Sequence, residues 1–198
     1  MKKEFWKDWE NKSKREKKAI SSIKQAINFL FENIKKDDII AVYIKGSFVT
    51  REMNKKSDVD IVPILKNNLI LKRLIAIRGK NKELLKPAEL LPITLTELKK
   101  NKNSQLHGKL KGRPDTFLRD LEHYQLIWGK NLLKSDYPSR DSKKMLKSEV
   151  KVIKNKTLPM YLKGKFGFSQ LIKQVFWLSY NEQRLLGKNP PRTWKGLN

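Results

Sequence analysis

Residues 39–65, IIAVYIKGSFVTREMNKKSDVDIVPIL, decide the fold. The run opens apolar and β-branched at Ile39, Ile40, Val42 and Ile44 and breaks at Lys45-Gly46-Ser47. It then crosses a polar loop and returns to β pattern at Asp58-Val59-Asp60-Ile61-Val62. It reads as strand, Gly-Ser turn, connector, strand. Strand side chains alternate between faces, so Asp58 and Asp60 share one side while Val59 and Ile61 share the other. Ionised carboxylates at that spacing repel, and a strand carries them on one face at a cost unless a cation neutralises them. The plainer reading is a β-hairpin with two solvated aspartates, which leaves Gly46-Ser47 unexplained.

A divalent metal is the candidate cation. Magnesium takes one or two protein carboxylates together with substrate phosphates and water, and Asp-x-Asp can offer the carboxylates. Gly46 lets backbone approach a ligand closely, and Ser47 adds a hydroxyl and an N–H beside it. The combination suggests a triphosphate held against metal.

Gly46-Ser47 followed, after residues 48–57, by Asp58-Val59-Asp60 resembles the signature of nucleotidyltransferases of the DNA polymerase beta superfamily. The minimal nucleotidyltransferases and the aminoglycoside adenylyltransferases are the members it is most similar to. The Gly-Ser pair follows an apolar strand, the spacing fits, and Ser57-Asp58-Val59-Asp60-Ile61 continues as a strand. Many relatives carry glycine where Arg51 stands, so this connector loses backbone freedom and gains a cation that can face phosphate.

The resemblance implies an α+β fold: a small mixed-sheet nucleotidyltransferase domain followed by a helical C-terminal part. It implies an enzyme that transfers a nucleoside monophosphate, AMP from ATP, to a hydroxyl with release of pyrophosphate. Asp58 and Asp60 would bind two magnesium ions, Gly46 and Ser47 would hold the β- and γ-phosphates, and Lys45 or Arg51 would offset their charge. Relatives place a third metal-binding, catalytic carboxylate on a later strand. Glu89 is the choice, since it lies in the later β-patterned segment 88–95 with Leu91 and Ile93 on its face and Leu90 opposite. Glu97 is the competitor, but it follows Thr94-Leu95-Thr96 at a helix start, where a carboxylate already has a structural reason to sit.

The 198 residues suffice for one ordinary domain or two small ones, and at 38% hydrophobic and 33% charged the chain is polar yet globular. Its 45 basic against 20 acidic residues give +25, a field that attracts polyanions: nucleic acid, nucleotide or an anionic surface. A general lysine-rich bias would produce the same number. Small cationic acceptors fit this charge poorly, whereas RNA or a partner protein fits it better. A rival function is a catalytically silent nucleic-acid binder that keeps the fold, although a binder has no use for paired aspartates near phosphate. No cysteine is present, which excludes disulfides and thiolate metal sites. No signal-peptide core or membrane span is apparent, so the expectation is a cytoplasmic protein without a membrane partner.

Ile20, Ile23, Ile27, Leu30 and Ile34 predict an amphipathic helix ahead of the first strand. Residues 69–77 lean to helix. His107 reads as a lone surface residue in a basic loop over 99–111. Composition shifts after Gly112-Arg113-Pro114, which sets two domains, 1–114 and 115–198. Asp115 or Thr116 would cap a helix over 117–128, ended by Gly129. A basic helix over 143–154, a connector over 157–167 and an amphipathic helix from Phe168 to Leu186 follow. Residues 193–198 begin a further element.

Overall fold

Helix α1 (Lys14–Asn33) starts where Ser13 caps it: the Ser13 hydroxyl accepts the Glu16 N–H at 3.2 Å and the Glu16 carboxylate accepts the Ser13 N–H at 2.7 Å. Its expected stripe is inside, with Ile23 and Leu30 fully buried and Ile27 and Ile34 nearly so. Each such side chain contributes about 1.5–3 kcal/mol of burial. The stripe lies against the sheet formed by strands β1 (Ile39–Lys45) and β2 (Val59–Leu65), which pair antiparallel with Lys45 opposite Asp60. The computed structural model describes residues 4–55, 57–81, 83–107 and 113–190.

Helix α2 (Asn68–Lys80) follows, capped by the Asn67 side chain. The expected third strand is two short ones, β3 (Ala88–Leu90) and β4 (Ile93–Thr94), both parallel to β2. Pro92 lies in the gap, because it cannot donate a ladder hydrogen bond. Helix α3 (Leu95–Lys100) and helix α4 (Pro114–Arg119) precede strand β5 (Gln125–Gly129), which pairs antiparallel with β1. The mixed sheet runs β3-β2-β1-β5, with β4 also on β2. One face packs on α1 and α2 through Val42, Ile44, Val59 and Ile61, and the other on α3 and α4 through Tyr43, Val62, Ile64 and Leu98. The fold is α+β, as expected.

Three further expectations change in this unit. The helix over 117–128 is a short helix, a 3-10 turn and β5, because β1 has a second edge whose backbone groups need a partner. The cap position of α4 is Arg113, not Asp115 or Thr116: Pro114 opens the helix, and buried Asp115 exchanges hydrogen bonds with Asn101 at 2.8 and 3.1 Å. The boundary at 114 falls inside a compact unit, since β5 completes the sheet; the units are Met1–Ser139 and Arg140–Asn198. Part of the loop over 99–111 and all of residues 193–198 lie outside the described residues.

The second unit is helical. Helix α5 (Ser142–Val152), capped by Asp141, runs through a π turn (Ile153–Thr157) into helix α6 (Leu158–Leu162), where a connector was expected. Helix α7 (Phe168–Leu185) follows as read. Among the described residues no helix is long and apolar enough to cross a membrane.

Candidate nucleotide and metal site

The end of β1 turns at Gly46, whose φ of +85° is open to glycine at no steric cost. A Cβ there would stand 3.3 Å from Asp60 Oδ2, so the missing side chain is what lets this turn lie against the carboxylate. Lys45, directly opposite Asp60, places its ammonium 3.1 Å from the same oxygen, both side chains 29% exposed. Glu89 is the residue of β3 beside Asp60 on the other side, so Lys45, Asp60 and Glu89 form one lateral row across three strands. Leu91 and Ile93 pack on the face of that row and Leu90 on the opposite one, as alternation requires. Asp58 is exposed, one residue ahead of β2.

Half-exposed carboxylates beside a glycine turn suit a hard cation that keeps waters and shares phosphate oxygens. Asp58 and Asp60 therefore fit magnesium by donor chemistry, and the ammonium now on Asp60 occupies the position where a cation is wanted. Among the described residues no three acidic or histidine side chains are gathered into a ready-made metal cage. A cavity of about 420 Å³ lined by Ile39, Ile40, Trp128 and Gly129 lies at the other end of β1 and is separate from this row.

Arg51 is engaged by residues that precede the sheet. It sits at φ +58°, the left-handed region where glycine is favoured. Its Nε donates to Glu16 Oε1 at 2.8 Å, one terminal nitrogen donates to the Glu10 carbonyl at 3.1 Å, and its guanidinium lies 4.9 Å from the Trp9 ring centroid. Just ahead of it, Phe48 is fully buried among Phe5, Trp6 and Trp9, with ring centroids 5.0–5.9 Å apart. The basic start of the chain thus clamps the segment that follows Gly46-Ser47. Composition alone hid this; three aromatics, Phe5, Trp6 and Trp9, in a charged leader were the available signal.

The Arg51 guanidinium holds the Glu16 carboxyl down at about 2, against the opposing effect of burial, with the Ser13 N–H and hydroxyl assisting. A carboxyl lowered on folding contributes stability above its unfolded value, about 4.3, and loses it as pH falls through the folded one. Glu16→Gln is expected to be less stable than the parent at neutral pH and to lose less stability between about pH 5 and about pH 2. Urea midpoints across that range check it; parallel curves would show that the pair contributes nothing.

Glu97 has the structural role foreseen for it. Its carboxylate accepts the Thr94 N–H at 2.9 Å and the Ser104 N–H at 2.8 Å, and meets His107 Nε2 at 2.9 Å. His107 is accordingly a nearly buried partner of Glu97, not a surface residue; the contact joins residues across a loop and leaves no periodic trace.

Residues 22–112 match the family model of polymerase beta nucleotidyltransferases. No curated protein is similar enough to match. Among solved structures, a spectinomycin adenyltransferase, AAD(9), from Enterococcus faecialis with ATP and spectinomycin is 14% identical, with 91% of this chain and 95% of that one covered and a TM-score of 0.44. A toxin-antitoxin with AMP-PNP is 14% identical over 77% of this chain and 97% of that one, at a TM-score of 0.33. The match spans the Gly46-Ser47 turn, both aspartates and Glu89, and over residues 22–112 the chain carries a nucleotidyltransferase domain of the polymerase beta family.

Proposed function

We propose that this protein transfers a nucleoside monophosphate, AMP from ATP, to a hydroxyl on RNA or on a protein, with pyrophosphate leaving. The observation that supports the reading is the turn at Gly46 lying against Asp60, where an added Cβ would stand 3.3 Å from Oδ2, so that backbone without a side chain and a carboxylate meet in one place. Asp58 and Asp60 would hold magnesium, which when bound neutralises charge on the reacting phosphate and the leaving oxygen. The Gly46-Ser47 backbone receives the β- and γ-phosphates. Lys45, whose ammonium stands 3.1 Å from Asp60, would be the cation nearest to those phosphates and would offset their charge. Arg51 takes no part in that contact and keeps the turn in position through Glu16.

Incubation with α-labelled ATP and magnesium, offered cellular RNA, protein and small metabolites in turn, tests the proposal. Label is expected in RNA or protein and not in cationic metabolites. Label in none of the three would overturn it.

Glu89 is proposed as the third carboxylate, the group that helps deprotonate the acceptor. Glu89→Gln is expected to slow transfer by about two to four orders of magnitude while nucleotide still binds. Glu97→Gln, by contrast, should weaken folding by about 1–2 kcal/mol, because an amide keeps one accepting oxygen where the carboxylate uses two, and leave the rate of the folded enzyme near the parent's. Full activity in Glu89→Gln would remove it from the site.

A further inference from the structure

The helical unit carries a feature that the nucleotide site does not use. Between residues 142 and 165 the sequence holds eight lysines and a single acid, Glu149. Lys143, Lys147 and Lys151 follow one another at steps of four along α5, and Lys144 and Lys154 fall within the same quarter-turn or so of helix surface. All five are exposed. The opposite side of α5 holds buried Met145 and Glu149, whose Oε2 accepts the Asn181 side-chain amide of α7 at 2.9 Å. Asp141, ahead of the helix, is engaged by the backbone N–H groups of Lys143 and Lys144. The lysine face is therefore a stripe of positive charge with its acids turned elsewhere, and like charges four apart on a helix repel.

We infer that this face of α5 binds the phosphodiester backbone of single-stranded RNA. Lysines four apart rise about 6 Å along the axis, close to the separation of successive phosphates on an extended strand. Each ammonium that meets a phosphate releases a condensed counterion, and such contacts need no base sequence. A helix lying on a lipid surface needs a broad free apolar face opposite its lysines; here Met145 on that side is buried, Glu149 is bonded to α7, and exposed Val152 alone does not make such a face. The choice of RNA among polyanions rests on the proposed transfer to a hydroxyl acceptor; the binding itself does not.

The test uses the full chain, a labelled single-stranded RNA of about 20 nucleotides and no added metal, with affinity followed as salt is raised. Neutralising four stripe residues together, as Lys143→Gln, Lys147→Gln, Lys151→Gln and Lys154→Gln, is expected to weaken binding at least about tenfold. It should also flatten the logarithmic salt slope by about 3, at roughly 0.7 per phosphate contact. Neutralising Lys17, Lys18, Lys99 and Lys100, equally exposed but in the other unit, is expected to change affinity less than about threefold. Loss of the same size in both variants would make the attraction a diffuse effect of net charge and overturn the assignment. So would an unchanged stripe variant, or a parent that binds anionic vesicles and not RNA. Asp60→Asn separates the two readings, since RNA binding survives in it whether or not nucleotide transfer is ever detected.

Discussion

Asparagine in place of Asp60 is expected to abolish nucleotide transfer, by about three orders of magnitude or more, or about 4 kcal/mol of transition-state stabilisation. The same change should leave the fold nearly as stable as before. The Lys45–Asp60 pair is partly open to water, and such pairs contribute only about 0–1 kcal/mol. Thermal unfolding gives a second readout that needs no turnover. In the parent, magnesium and ATP together should raise the melting temperature more than either alone, because metal and triphosphate complete one another's coordination. In Asp60→Asn that joint increment should vanish while any response to ATP alone persists, since the Gly46-Ser47 backbone is unchanged. A variant that keeps both the increment and the transfer would mean that Asp60 serves only as a counter-ion for Lys45.

The largest effect on folding is expected at Gly129. Its φ is +85°, and an added Cβ would stand 2.8 Å from Ala41 Cα and closer still to the Ile40 carbonyl oxygen. Gly129→Ala must therefore accept a left-handed backbone and push β1 away from β5, at a cost of about 3 kcal/mol or more. Urea unfolding should show that loss as the fall in midpoint multiplied by the slope. Gly187→Ala, also at positive φ but with nothing within 4 Å of its Cβ, should lose only the conformational part, about 1 kcal/mol. Equal losses at the two positions would show that strand contact adds nothing at Gly129.

Gly129 also marks where reading from sequence alone breaks down. Phe117, Leu121, Tyr124 and Trp128 recur at helical steps, and a glycine after them looks like a helix end. What decides otherwise is the unpaired edge of β1, more than 80 positions earlier in the chain, whose backbone groups outweigh a local periodicity (compare Tyr43 and Leu132, joined at 2.7 Å across |i−j| = 89). The β1–turn–β2 stretch and α1 were legible because each carries its own period and punctuation within a few residues. The row of Lys45, Asp60 and Glu89 was legible in part: alternation fixed the faces, and the register then set Glu89 beside Asp60. The bond from Arg51 to Glu16 left no trace in the sequence, because that partner lies in the helix before the sheet. His107 was misread as surface for the same kind of reason, its partner being Glu97 across a loop.

The N-terminal clamp and β5 have a consequence for how this domain can be divided. Both lie outside the matched stretch 22–112: the first supplies Phe5, Trp6, Trp9 and Glu16, the second supplies the neighbour of β1. A fragment trimmed to 22–112 would retain every proposed catalytic side chain. It would also expose Phe48, release Arg51, and present β1 as a long, apolar, unpaired edge, a template for strand addition by another copy. Such a fragment is expected to aggregate and not to turn over. The smallest unit in which the proposed activity can be sought is then set by what shields the edge, not by which side chains are proposed to do the chemistry.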